Sequence, residues 1–242
     1  MPIPIEKTAN IVVLTGAGLS ADSGLETFRD PQGVWSRVNI EDVATPQAFE
    51  KQPHIVHDFY NWRRRQLLSK DIQPNSAHEA LARLERDWQG DVLVVTQNVD
   101  DLHERAGQKN LVHMHGELLK KKRCVACGTV SECREELGTE TACKSCGQKA
   151  GLRPHIVWFG EIPMGDDVIF PALTDADLFI SIGTSGHVYP AAGFVHLAAQ
   201  AGAVTAECNL EPSQNAQDFE HGFYGRASVI VPDFVEGLFA SA

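Results

Sequence analysis

Five short apolar runs limit the fold most strongly. Residues 11–15, 92–96, 178–183, 204–209 and 228–231 read as strands, and most of these runs are nearly continuous Val, Ile and Leu, without the polar alternation of a half-solvated strand. Strands of that kind are buried on both faces, as in a parallel sheet covered by helices. Helical periodicity separates them, most clearly where Ala77, Leu81, Leu84 and Trp88 share a face behind a Ser76-x-x-Glu79 capping box. Alternating strand and helix predicts an α/β fold, a Rossmann-like doubly wound parallel sheet. Two stretches break the rhythm: 31–71 reads as polar helix, and 117–153 is rich in Cys, Gly and Lys with little apolar periodicity. Both are expected to be insertions forming a smaller module. The larger domain is then discontinuous, made of 1–30, 72–116 and 154–242.

Composition narrows the partners. With 21 Lys plus Arg against 32 Asp plus Glu, a formal charge of -11, tight sequence-independent binding to nucleic-acid phosphates is disfavoured. No basic segment precedes the first apolar run, and no run approaches the roughly 18 apolar residues of a membrane helix, so a cytoplasmic location without membrane partners is expected. Oligomeric state has no signature in the sequence.

Three segments carry chemistry. The first strand runs into Gly16-Ala17-Gly18-Leu19-Ser20-Ala21, which fits G-x-G-x-x-G/A between strand and helix, where glycines permit a tight turn and the helix N-terminus attracts a pyrophosphate. A plain strand-to-helix turn fits the same residues. No second strand ending in an acidic residue follows about 20 residues on, which argues against hydride-transfer use of a dinucleotide. Gln97, Asn98, Val99 and Asp100 follow a buried strand at its carboxyl end, where open α/β sheets place ligands, and their amide and carboxylate groups suit a carboxamide. A polar turn satisfying its own backbone explains them equally well. His113 and His115 flank Met114, and the sequence alone does not choose between them as a base.

The metal signal is more specific. Cys124-x-x-Cys127 and Cys143-x-x-Cys146 are separated by 15 residues, within the window of about 15 to 20 for a four-thiolate zinc site. Gly128 and Gly147 follow each pair, where a knuckle turn needs positive φ. Four thiolates leave no open coordination position, so one structural zinc per chain is expected; two disulfides are the rival reading. Cys133 and Cys208 lie outside the pattern and read as small apolar residues.

Together these segments resemble the sirtuin family. GAGLSADSGLETFRD looks like its cofactor loop, TQNVD its nicotinamide pocket, HGEL its catalytic-histidine motif and the four cysteines its zinc site. VWFGE looks like its substrate strand, and GTS with NLE like its adenosine contacts, all in family order over residues 11–231. The resemblance implies an NAD-dependent protein-lysine deacylase in which an acyl-lysine amide oxygen attacks the nicotinamide ribose, yielding nicotinamide, free lysine and an O-acyl-ADP-ribose. His115 would act as general base with Asn98 as its catalytic companion. NAD would meet Gly16, Ala17, Gly18, Ser20, Ala21, Phe28, Arg29, Trp35, Gln97, Asn98, Val99 and Asp100, and on the adenosine side Gly183, Thr184, Ser185, Asn209, Leu210, Glu211 and Ala227. An acyl-lysine peptide would add as a strand to Val157, Trp158, Phe159, Gly160 and Glu161.

A further likeness concerns the acyl group. Tyr60-Asn61-Trp62-Arg63 looks like the Tyr-x-x-Arg signature of class III sirtuins, which remove succinyl and malonyl groups, and Ala44 matches a small residue that widens their acyl pocket. Residues three apart share a helical face, so the Tyr60 hydroxyl and Arg63 guanidinium are expected to converge on one carboxylate. Arg63, Arg64 and Arg65 as a solvated basic face is the plain alternative. The rival activities are deacetylation without acidic preference, mono-ADP-ribosyl transfer at the same site, and NAD or zinc binding without catalysis.

Overall fold

The computed structural model describes residues 3–27 and 39–241. Six parallel strands form the main sheet: β1 Ile11–Thr15, β2 Val92–Thr96, β3 Leu111–His113, β7 Leu178–Ile182, β8 Val204–Asn209 and β9 His221–Tyr224. Their order, β3-β2-β1-β7-β8-β9, reverses between β1 and β7. That is the strand order of a doubly wound dinucleotide-binding sheet, with its ligand crevice at the carboxyl ends beside the reversal. β1, β2 and β7 are buried along their whole length, as the unbroken apolar runs require.

Alternate residues of each strand feed opposite cores, because side chains alternate across a sheet. Ile11, Val13, Val92, Val94, Leu178 and Ile180 pack on one face against helices Ser76–Asp87 and Ala227–Ser241. Val12, Leu14, Leu93, Val95 and Phe179 pack on the other against Asp166–Thr174 and Phe194–Ala201. Among the described residues no helix is long and apolar enough to cross a membrane.

Three sequence expectations change. Residues 228–231 are no strand: they open the helix Ala227–Ser241, whose buried Val231, Phe234, Val235 and Leu238 repeat at helical spacing. The sheet ends instead on β9, a short, largely exposed edge of little apolar character. The helix Ser76–Asp87 is capped one residue earlier than expected. Asn75 is its N-cap and His78 answers from the third position, while Ser76 donates to the Ser228 carbonyl. The face containing Ala77, Leu81, Leu84 and Trp88 is buried as expected.

The remaining elements form a second cluster beside the sheet. Helices Pro46–Lys51 and Pro53–Leu67 lie next to a three-stranded antiparallel sheet of β4 Lys121–Cys124, β5 Val130–Glu132 and β6 Leu152–Pro154. One helix joins them. From Pro53–Leu67, His57 Nε2 donates to the Leu152 carbonyl at 2.7 Å, Asn61 makes two hydrogen bonds with the Leu137 backbone, and buried Arg64 donates to Leu119 O.

Beneath the crevice two neutral histidines are buried. His103 Nε2 meets the Thr15 hydroxyl at 3.0 Å, and Thr15 donates to Thr96 Oγ1, tying β1 to β2. His78 packs edge-on against His103, with ring centroids 5.2 Å apart. Burial lowers the pKa of His78 to about 4 and that of His103 to about 3. An imidazole of depressed pKa binds its proton more readily when unfolded, so acid favours the unfolded chain below about pH 6.5. Denaturant unfolding between pH 7 and 4.5 is therefore expected to show stability falling with pH, by about 1.4 kcal/mol per unit for each ring. In His103→Gln that slope becomes shallower. An unchanged slope contradicts the assignment.

Candidate functional site

The turns after β1, β2, β7 and β8 meet along the carboxyl edge of the sheet. At the strand reversal two glycine turns are pressed together: Gly16 N donates to Ile182 O at 3.0 Å and Gly18 N to Gly183 O at 2.9 Å. A Cβ on Gly18 would stand 2.7 Å from Gly183 Cα, and one on Gly16 would stand 2.8 Å from Gly183 O. Gly183 itself holds φ +63, and its own Cβ would meet Leu19 N at 2.4 Å. These glycines are thus required first by the packing of one turn on another. Because the N–H groups of Gly16 and Gly18 are committed, Ala17 carries the turn's open donor among the described residues. The helix it opens, Ala17–Ser20, is a single turn.

Residues 97–100 are braced by side chains. Asn98 Nδ2 donates to Gly16 O at 3.1 Å and to Ser20 Oγ at 3.2 Å, and Ser20 donates to Asp100 Oδ2 at 3.1 Å. Ser20 therefore faces the Asn98–Asp100 side of the crevice rather than standing free for a diphosphate. Asp100 is buried, and burial raises its pKa despite the Leu102 N–H and Ser20 bonds that work against the rise. Asn98 keeps its Oδ1 and Asp100 its remaining lone pairs for a ligand.

The two histidines separate here. His115 Nδ1 lies 3.0 Å from the Gln97 carbonyl. A carbonyl only accepts, so Nδ1 carries the proton and Nε2 is a bare imine nitrogen. Burial lowers the His115 pKa, with the Gln97 bond opposing, which keeps the ring neutral near pH 7. His113 is different. Its Nδ1 donates to Asn98 O at 3.3 Å, and its Nε2 lies 3.3 Å from Glu104 Oε1, in ion-pair range though off the line of a hydrogen bond. Burial opposes a charge on His113, yet Glu104 outweighs it and raises the pKa. Burial likewise opposes ionisation of Glu104, but His113 and Lys120 pull it down to about 2. Of the two, His115 is the ring whose pKa falls and whose Nε2 faces no carboxylate among the described residues.

On the other side of the reversal, Asn209 Nδ2 donates to Thr184 O at 2.7 Å, and Thr184 Oγ1 lies 2.9 Å from Ser181 Oγ. Leu210 and Glu211 are exposed beyond β8, and Ala227 opens the last helix just past β9. A small cleft opens nearby, lined by Leu14, Gln97, Thr184, Ser185 and Asn215 among others. Phe28, Arg29 and Trp35 lie outside the described residues.

Residues 157–161 form a turn rather than a strand, with Gly160 at φ +85. Val157 N donates to His115 O at 2.9 Å, Phe159 N to Ala44 O at 3.0 Å and Trp158 N to Glu161 Oε2 at 2.8 Å, so these amides are not free to pair with a peptide. Exposed Phe159 and Gly160 remain accessible at the rim. Nearby, buried Tyr60 accepts from Trp158 Nε1 at 2.9 Å, and Ala44 is buried in the same cluster. Half-buried Arg63 is held by Gln66 Oε1 at 2.8 Å, and among the described residues no carboxylate comes within ion-pair distance of it. Burial lowers its pKa. The expected basic face divides accordingly: Arg65 pairs with Glu136 on the surface, Arg64 is buried against carbonyls, and Arg63 turns to the pocket side.

Sequence reasoning missed three supports. Asn75 both caps its helix and donates to Leu19 O and Ser23 Oγ of the cofactor turn. Asp22 accepts from Arg226 and from the N–H and hydroxyl of Ser228, fastening that turn to the last helix. Arg153 holds the 156–161 turn. Asn75-x-x-His78 is a readable capping pattern; Asp22 with Arg226 and Ser228 is a long-range contact, and Arg153 acts within its own loop without a repeating pattern to mark it.

The four sulfurs of Cys124, Cys127, Cys143 and Cys146 lie within 4.8 Å of one another, with Cys124–Cys146 and Cys127–Cys143 at 3.8 Å. A tetrahedron with Zn–S bonds of about 2.3 Å has edges of about 3.8 Å, so the donor set fits zinc. All six cysteines are free thiols, against the disulfide reading. Gly128 and Gly147 hold φ +71 and +74, as knuckle turns require.

A reversed-order parallel sheet, paired glycine turns, a neutral histidine at the crevice and a closed four-thiolate module define a dinucleotide-binding enzyme with a structural metal. The Sir2 family model matches residues 16–190, and the chain belongs to that family. It is 56% identical over 98% of its length to an NAD-dependent protein deacylase of Escherichia coli K12, covering 85% of that protein. It is 55% identical to the NAD-dependent protein deacylase SIR2rp3 of Trypanosoma brucei brucei, over 93% of each chain. A solved Sir2 homologue in complex with NAD superposes at TM-score 0.87 with 37% identity, over 97% of this chain and 91% of that one. Sir2Af2 bound to a myristoylated histone peptide superposes at TM-score 0.72 with 30% identity, over 95% and 91%.

The metal module has a core of only Cys124, Cys133, Leu137, Cys143 and Leu152, too small to hold three strands unaided. Cys124→Ser, or prolonged chelation, is expected to remove zinc by elemental analysis and lower the melting temperature by about 4–8 °C, the shift for roughly 2 kcal/mol in a chain of this size. An unchanged melting temperature in the metal-free protein refutes a structural role.

Proposed function

We propose that this Sir2-family enzyme is an NAD-dependent protein-lysine deacylase that favours short acidic acyl groups, succinyl and malonyl, over acetyl, and yields nicotinamide, free lysine and O-acyl-ADP-ribose. The observation that carries the acyl preference is Arg63, a half-buried cation held by Gln66 with no carboxylate within ion-pair distance among the described residues, Asp100 and Glu26 acting on it only from farther away. A desolvated guanidinium without a directly paired carboxylate favours an anionic ligand, which it can grip with two donors. Tyr60 lies one turn away on the same helix face.

When bound, NAD supplies the nicotinamide glycosidic bond whose cleavage drives acyl transfer. The chain supplies position and one proton acceptor. The turn of Gly16, Ala17, Gly18, Ser20 and Ala21 receives the cofactor's centre, and Gly183, Thr184, Ser185, Asn209, Leu210, Glu211 and Ala227 line its adenosine side. Asn98, assisted by Gln97, Val99 and Asp100, orients the carboxamide, and Phe28, Arg29 and Trp35, outside the described residues, are further cofactor-binding residues in this reading. His115 Nε2 takes a proton from a ribose hydroxyl, a role that suits a neutral imidazole poised near pH 7. The substrate main chain lies along Val157, Trp158, Phe159, Gly160 and Glu161, and the acyl group passes Ala44 toward Tyr60 and Arg63. Orientation of two substrates in one crevice contributes several kcal/mol of barrier lowering by itself.

Nicotinamide release from acetyl-lysine and succinyl-lysine forms of one peptide tests this reading. Arg63→Met is expected to lower the succinyl-to-acetyl ratio of kcat/KM by about tenfold or more, the worth of one hydrogen bond to a charged group. His115→Tyr silences both substrates. A ratio unchanged in Arg63→Met, or label from NAD retained on protein, overturns the reading in favour of plain deacetylation or ADP-ribosyl transfer.

A further inference from the structure

Trp158 is fixed from several sides. Arg153, only 3% exposed, lies over its indole ring with the guanidinium carbon 3.4 Å from the ring centroid. The same guanidinium grips both oxygens of Glu161 at 2.7 and 2.8 Å and donates to Ile156 O at 2.6 Å. Glu161 in turn accepts the Trp158 N–H at 2.8 Å, closing a ring of contacts around the 156–161 turn. Phe49 packs at 5.5 Å, and Tyr60 stacks at 6.1 Å with an interplanar angle of 27°. Moving the indole therefore means giving up its stack on Arg153 and its packing against Phe49 and Tyr60, while the forked Arg153–Glu161 pair holds Arg153 in place beneath it.

From this fixed position Trp158 Nε1 donates to the Tyr60 hydroxyl at 2.9 Å. An indole N–H can only donate, so the Tyr60 oxygen accepts and its own proton must be directed elsewhere. Tyr60 is 6% exposed, and among the described residues nothing accepts that proton. A buried hydroxyl proton without an acceptor is unfavourable, and the penalty is relieved by a ligand atom that accepts it.

We infer that Trp158 is a specificity-determining residue: its indole N–H commits Tyr60 to act as a donor, so the pocket selects acyl groups that end in a hydrogen-bond acceptor. This rests on the acidic-acyl reading above and deepens it. Arg63 answers the charge of the acyl terminus; the Trp158–Tyr60 pair answers its capacity to accept, and an apolar acyl group of the same shape leaves the Tyr60 proton stranded.

The test compares one peptide carrying succinyl-lysine with the same peptide carrying 4-methylpentanoyl-lysine, which matches succinyl in shape and lacks the acceptor. The enzyme is the full chain with zinc, either wild type, Trp158→Phe, or with benzothienylalanine at 158, which keeps the ring size and replaces N–H by sulfur. Loss of the indole N–H is expected to lower the succinyl-to-methylpentanoyl ratio of kcat/KM about threefold to tenfold, the effect of one net hydrogen bond, chiefly through the succinyl KM. In a Tyr60→Phe background the same replacement is expected to leave the ratio where Tyr60→Phe alone puts it. If the benzothienyl enzyme keeps the wild-type ratio while Arg63→Met collapses it, the acidic-acyl reading stands and the role of Trp158 is refuted. If Arg63→Met also leaves the ratio unchanged, both fall together. The benzothienyl arm decides the matter even if Trp158→Phe fails to fold.

Discussion

The backbone of Gln97 organises the crevice. Its N–H donates to Thr15 O at 2.9 Å, which binds it to the end of β1, and its carbonyl accepts from His115 Nδ1 at 3.0 Å. The two peptide groups that flank one residue thereby fix the position of a buried imidazole and also its tautomer. Its neighbour does the same for His113 through the Asn98 carbonyl, with the opposite chemical result because Glu104 stands on the far side of that ring. Two histidines that flank Met114 are thus shifted in opposite directions, His113 up and His115 down, and the difference is set by what faces the second nitrogen. The proposal for the site depends on the imidazole of His115, whose second nitrogen meets no carboxylate among the described residues.

The metal module and the acyl pocket are mechanically continuous. β6 carries Arg153, which holds Trp158, which in turn orients Tyr60 on the helix Pro53–Leu67. The same helix returns to the module through His57, Asn61 and Arg64. A zinc held there would act on the proposed pocket only through this packing, since a closed four-thiolate site offers no coordination position for a substrate. The small core of that module explains why the sequence devotes two knuckles to it.

Much of the fold was legible because its signals are local. Continuous apolar runs marked β1, β2 and β7, and the CxxC spacing marked the metal cluster. Local signals also misled. Residues 228–231 are apolar and β-branched, yet belong to a helix whose period becomes visible only when Phe234, Val235 and Leu238 are counted with Val231. β9 escaped because an edge strand with few apolar residues has no pattern to betray it. Residues 157–161 read as an extended segment, but Gly160 at positive φ and the amide bonds to Ala44, His115 and Glu161 fold them into a turn. What the sequence withheld most completely was orientation. Trp158 and Tyr60 lie 98 positions apart, and nothing near either says that they meet.

The central claim is that His115 is a neutral imidazole with its proton on Nδ1 and its Nε2 bare. Nitrogen-15 NMR of protein labelled at histidine, titrated with pH, reads this directly. The account predicts a protonated Nδ1 and a bare Nε2 at pH 7, with the ring taking its second proton only below the ordinary histidine value of about 6.5. A resonance showing Nε2 protonated at pH 7, as the other tautomer or as the doubly protonated ring, would contradict it.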